Sequence, residues 1–251
     1  YYYGEGTKKN IKKSVEIYTE LAEKGISTAQ RNLGTAYKLG EGVEKNEEQA
    51  FHWFKLAAEQ GGPSDQYNLG FHYSVGVGVQ QDFTEGFKWY NKALDQGYMQ
   101  AQFLVGLMYF SGAGCEINKS KAVTLWQLAA KQKDATAKGF LAGCFFHGVG
   151  VEKDEQKAIL LAKESALAGD SKGQHILGWA FSVGAGVQVD HKQALYFWRL
   201  AAEQGDRIAQ ADLGAAYLNG QVVEKDLELA KYWLSIAAEF GVRTAIENLG
   251  N

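Results

Sequence analysis

The chain has 251 residues, 46% of them hydrophobic and 22% charged, a balance that excludes disorder and suffices for one or two ordinary domains. A net charge of −3 with no Lys/Arg stripe excludes a general electrostatic site for nucleic acid, and no run of about 18 apolar residues is present to span a membrane. Glycine occurs 30 times and proline once, which implies many sharp backbone turns rather than a low-complexity linker.

Read from the N-terminus, Tyr1 to Gly6 resembles the tail of a helix whose beginning is missing. No initiator Met or signal-peptide layout precedes it, so the native chain is expected to be longer. From there a 36-residue period governs everything. It returns Gly4, Gly40, Gly76, Gly112, Gly148, Gly184 and Gly220, and the apolar set Leu33, Leu69, Val105, Leu141, Leu177, Leu213 and Leu249. An aromatic set runs through Tyr37, Tyr73, Tyr109, Phe145, Phe181 and Tyr217. The set Gly25, Gly61, Gly97, Gly169, Gly205 and Gly241 fails only at Lys133.

Each period predicts two helices. In the first, Ala29, Leu33 and Tyr37 form an apolar stripe four residues apart, and Gly34 implies a contact too close for a side chain. A loop such as Gly40-Glu41-Gly42-Val43 follows, its glycines suited to positive φ at a helix C-terminus. Asn46, Asp82, Asn118, Asp154, Asp190 and Asp226 are expected to cap the second helix, with Asp82 and Glu85 forming a capping box. That helix carries Ala50, Trp53, Phe54, Ala57 and Ala58, the spacing of an amphipathic face. One hairpin cannot bury its own stripe, so neighbours must stack into a solenoid. The expected division is a partial repeat over 1–26, full repeats over 27–62, 63–98, 99–134, 135–170, 171–206 and 207–242, and a partial repeat over 243–251, all in one continuous body. Neither end shows a polar cap, which makes self-association through an open end an expectation.

The pattern Ala-Gln-x-x-Leu-Gly-x-x-Tyr-x-x-Gly-x-Gly-Val, then Lys/Gln-Ala-x-x-Trp-x-x-x-Ala-Ala-x-x-Gly, fits Ala29 to Gly61 and Ala209 to Gly241. On these residues the chain resembles the Sel-1-like repeat family, cousins of tetratricopeptide repeats, over essentially its whole length. Gly86 in place of Ala, Ala162 in place of an aromatic, and Gln221-Val222 in place of the second loop glycine depart from it. The resemblance implies an all-α, right-handed α-α superhelical solenoid that binds a protein or peptide in a groove lined by the first helices. It also implies bacterial signalling, cell-envelope and host-interaction roles, or assembly roles in eukaryotic membrane-protein quality control, and export signals common among bacterial relatives point to a periplasmic or secreted location.

No catalytic constellation is legible. Cys144 and His147 lie three apart on one helix, but Cys144 shares the register of Ala36, Met108 and Ala180, a packed position. With Cys115 it makes too few cysteines for a disulfide framework or structural zinc site. The segment Gly114 to Ser120 carries Asn118 where a phosphate-binding loop needs Gly, so no cofactor is implied. Groove-facing registers follow Arg31, Thr35 and Lys38, and their aromatic members, with the neighbouring His147, make up a partner-binding set: Tyr67, Phe71, Phe103, Phe110, Phe146, His147, His175 and Trp179. Phe110 and Phe146 are the preferred hot spot, because their register elsewhere holds Lys38, Ser74, Ser182 and Leu218. The expected function is a non-enzymatic scaffold or adaptor. An immunity-type inhibitor of one toxic enzyme, or a carbohydrate-binding or hydrolytic repeat protein, is the alternative.

Overall fold

The computed structural model describes residues 10–220 and 222–250. Gly4, the tail from Tyr1 to Gly6, and Gln221 of the sixth loop lie outside the described residues. Among the described residues the secondary structure is entirely helical, with no strand. The helices group into two compact units, one ending at Asn118 and one beginning at Lys119.

The first unit holds α1 (Ile11–Glu23), α2 (Ser27–Leu39), α3 (Glu47–Glu59), α4 (Pro63–Val75), α5 (Phe83–Asp95) and α6 (Gln100–Ser111). The second holds α7 (Lys119–Lys131), α8 (Ala135–His147), α9 (Glu155–Leu167), α10 (Ser171–Val183), α11 (His191–Glu203), α12 (Arg207–Asn219), α13 (Leu227–Glu239) and α14 (Arg243–Leu249). Even-numbered helices are the first members of their repeats and odd-numbered helices the second.

Side-chain caps fix where the helices begin. The carboxylate of Asp82 accepts from Thr84 N and Glu85 N, and Asn46, Asp154, Asp190 and Asp226 cap α3, α9, α11 and α13 in the same way. The expected capping box at Asp82 is only half made. Its own N–H donates to the Tyr73 carbonyl at 2.8 Å, and the Glu85 carboxylate turns to Lys88 Nζ at 2.7 Å. The same main-chain bond closes every other hairpin, from Asn46 to Tyr37, Asn118 to Tyr109, Asp154 to Phe145, Asp190 to Phe181 and Asp226 to Tyr217. A reciprocal box is therefore redundant, since the donor it would satisfy is already bonded. Sequence inspection also passed over Asp134, Asp170 and Asp206, which cap the first helices α8, α10 and α12.

Packing explains the glycine within each first helix. A methyl group on Gly34 would stand 2.8 Å from Phe54 Cδ1, one on Gly70 2.9 Å from Tyr90 Cδ1, and one on Gly214 2.7 Å from Leu234 Cγ. The ring or branched side chain of the second helix lies flat on the glycine backbone. In the fourth repeat the glycine becomes Ala142 and its bulky partner becomes Ala162, both fully buried. The two departures are one exchange of volume between facing positions.

A polar register accompanies this core. Gln60 Nε2 donates to Gln30 Oε1, Gln96 to Gln66, and Gln204 to Gln174, each at 2.7 Å. The fourth repeat replaces the pair with Lys138 and Ala168, and Lys138 reaches Glu164 at 2.6 Å instead. In the last hairpin Phe240 stands where the glutamine donor belongs, and Gln210 Oε1 is left buried without a partner.

Candidate functional site

The second unit brings four of the sequence-selected residues together on its first helices. His175, Trp179 and Ser182 recur on one face of α10 at intervals of four and three. Ala215 of α12 shares the repeat position of Trp179, so a methyl group faces an indole and leaves room between the helices. The resulting pocket, about 480 Å³, opens between α10 and α12 and is lined by Trp179, Ser182, Asp212, Ala215 and Asn219. Trp198 of α11, 5% exposed, forms part of its wall.

Asp212 and Ser182 are held in place, whereas Trp198 Nε1 is buried without a hydrogen-bond partner among the described residues. His175 Nε2 lies 2.9 Å from Asp212 Oδ2. A carboxylate only accepts, so His175 carries its proton on Nε2. Asp212 Oδ1 accepts no hydrogen bond among the described residues. Ser182 Oγ donates to the Trp179 carbonyl at 2.7 Å, which aims its lone pairs away from the helix. The Trp179 ring meets Phe146 edge-on at 5.1 Å and 87°, and His147 at 6.0 Å.

This arrangement changes the part expected of Phe146. Its side chain is 3% exposed, so it offers no surface of its own and instead buttresses Trp179. His147 is exposed beside it, and His175 and Trp179 are half-buried. Asp212 and Asn219 were not legible as site residues. The available signal was an acid at a repeat position that elsewhere holds Asn32, Asn68, Leu104, Phe140 and Ile176.

In the first unit Arg31, Thr35 and Lys38 line a smaller pocket of about 240 Å³ with Asn68 and the exposed Phe71. Arg31 reaches across to Asp65 at 3.4 Å. Burial pushes the Asp65 carboxyl above the usual carboxylate range despite the lowering effect of that guanidinium. His72, 3% exposed, donates from Nδ1 to the Val77 carbonyl at 2.9 Å, and burial lowers its pKa. Tyr67 is packed between Tyr90 and Tyr98, each 5.3 Å away, and serves the interior more than a surface. Phe103 and Phe110 are half-buried on α6.

Chemistry of other kinds finds little support in the geometry. Burial pushes the Cys144 thiol up to about 11, which keeps it protonated near neutral pH, and His147 points to solvent from the same helix. Among the described residues no three His, Cys, Asp or Glu side chains converge as a metal-holding group. No helix there is long and apolar enough to cross a membrane.

The Sel1 repeat model matches seven times, at residues 1–26, 27–62, 63–98, 100–134, 137–170, 171–206 and 207–241. No curated protein sequence matches the chain. Among solved structures, a protective antigen of uropathogenic Escherichia coli with an SLR fold is 35% identical, with a TM-score of 0.75 over 99% of this chain. The alignment covers 54% of that protein, so this chain spans about half its length. A Sel1 repeat protein of Oxalobacter formigenes is 33% identical, with a TM-score of 0.77 over 85% of both chains. An immunity protein of Pseudomonas aeruginosa, 18% identical with a TM-score of 0.52 over 87% of this chain and 83% of its own, shares the fold. With repeats matched along nearly its whole length, the chain belongs to the Sel1 repeat family of all-helical solenoids.

Proposed function

We propose that the chain is a non-catalytic scaffold that holds a segment of a protein or peptide partner against α8, α10 and α12. Sel1 repeat proteins are generally protein-interaction scaffolds, which gives the class. The observation that carries the reading for this chain is Trp179. It is a half-buried indole fixed from behind by buried Phe146 and set at a pocket with both polar and apolar walls. A rigid aromatic anchor that a partner can cover and seal from water is the arrangement that concentrates binding energy in protein interfaces.

The test is affinity capture from source-cell extract by the full chain and by Trp179→Ala, with circular dichroism showing both folded. A protein retained by the wild type should bind the variant about tenfold more weakly or worse, as expected for an aromatic hot spot. Equal retention would remove the function from this face. Capture of one partner alone, at very high affinity, would favour the immunity-type inhibitor over a general adaptor.

A further inference from the structure

The pocket between α10 and α12 has a chemistry more specific than an aromatic anchor. Its lining combines the Trp179 ring, the Asp212 carboxylate, the Ser182 hydroxyl and the Asn219 amide. Asp212 is the one formal charge among the lining residues when His191 is neutral. His175 occupies Oδ2 and fixes the carboxylate plane, while Oδ1 remains open. Ser182 has already spent its proton on the Trp179 carbonyl, so it meets a ligand as an acceptor. Three acceptors and a π face therefore line one part of a space of about 480 Å³, whose remaining walls include His191, Trp198 and the apolar Val183, Ala216 and Val222.

The geometry points to an arginine side chain of the partner as the occupant of this pocket. A guanidinium is planar, carries five donors and no acceptor, and stacks on an indole while hydrogen-bonding in its own plane. It would lie against Trp179, donate to Asp212 Oδ1, and offer its remaining N–H groups to Ser182 Oγ and the Asn219 carbonyl oxygen. A lysine ammonium satisfies the charge but not the flat face or the number of acceptors. An acidic or purely apolar side chain would leave Asp212 repelled or desolvated without compensation. The inference rests on the scaffold reading and adds which partner residue the site selects.

The experiment titrates the full chain, labelled at its indole nitrogens, with the blocked tripeptide Gly-Arg-Gly and with its citrulline analogue, which keeps shape and loses charge. The Arg peptide should produce a saturable shift of the Trp179 indole N–H signal. Citrulline in the peptide, or Asp212→Asn in the protein, should weaken binding about threefold or more, the loss expected when one member of a partly exposed charge pair is neutralised. Asp212→Asn keeps an acceptor for His175, so the fold is preserved and a Trp179 spectrum unchanged without peptide confirms it. Equal shifts from both peptides, an unchanged affinity in Asp212→Asn, or no saturable shift with the Arg peptide would each overturn the inference. A partner that Trp179→Ala loses but Asp212→Asn retains would overturn the arginine assignment and leave the scaffold intact. A selective Arg-peptide titration with no protein captured would do the reverse.

Discussion

At the scale of single residues, the glycines of the first helices are defined by what lies on them. Gly34→Ala drives a methyl into the Phe54 ring and toward the Ala50 carbonyl at 3.1 Å, so it should lower stability by about 2 kcal/mol, the range of overpacked cores. Ala142 and Ala162 show the compensated alternative within the same chain. The double variant Gly34→Ala/Phe54→Ala should therefore be less destabilised than the sum of its singles by about 1 kcal/mol, measurable in a urea double-mutant cycle. Lys133 gives the opposite case. It takes φ 68° where Gly25, Gly61, Gly97, Gly169, Gly205 and Gly241 stand, and at those glycines a Cβ would meet open space. Only backbone strain distinguishes the position, so Lys133→Gly should raise stability by about 1 kcal/mol, read as a higher urea midpoint.

Among elements, helix ends and hairpin closures were largely readable, because they depend on short-range chemistry that repeats. Asp82 in front of an amphipathic run announces a cap, and Gly76 announces the preceding stop. Pairs across elements were harder to see. The exchange of Gly and aromatic for Ala142 and Ala162, or of two glutamines for Lys138 and Ala168, emerges only when two registers are read jointly. The pocket at Trp179 was half legible. Trp179 and Ser182 lie on one helix at helical spacing, whereas Asp212 comes from the next repeat and depends on how the two helices approach. His72 shows an element end tied to its loop by a titratable group. Its ring joins the last turn of α4 to the Val77 carbonyl, with Phe51, Phe54 and Phe71 around it. Burial lowers its pKa below the 6.5 of the unfolded chain, with the nearby charge of Lys38 adding to the shift and that of Glu47 opposing it. Between those values the unfolded state binds more protons, so this contribution is complete above about 6.5 and is lost as pH falls toward the folded pKa. The urea midpoint should fall as pH is lowered by one to two units from neutrality. His72→Met, which copies Met108 at the same repeat position, should flatten that dependence.

For the molecule as a whole, the main packing contacts join helices adjacent in sequence, or first helices of adjacent repeats such as α8 with α10 and α12 with α14. Stability is then a sum of local terms rather than one cooperative quantity. Gly34→Ala should lower amide protection in α2 and α3 while leaving α12 and α13 at wild-type exchange rates. A uniform loss across all helices would show global coupling instead. The main-chain bond from each cap to the aromatic carbonyl of its own hairpin carries a further consequence. Closure needs nothing from outside the repeat, so an in-register duplication or excision leaves no hairpin donor unmet. Such a gene can lengthen or shorten by whole cassettes through recombination, while substitutions at positions such as Trp179 and Asp212, one in each of two neighbouring cassettes, diversify a binding face without touching the bonds that close each hairpin.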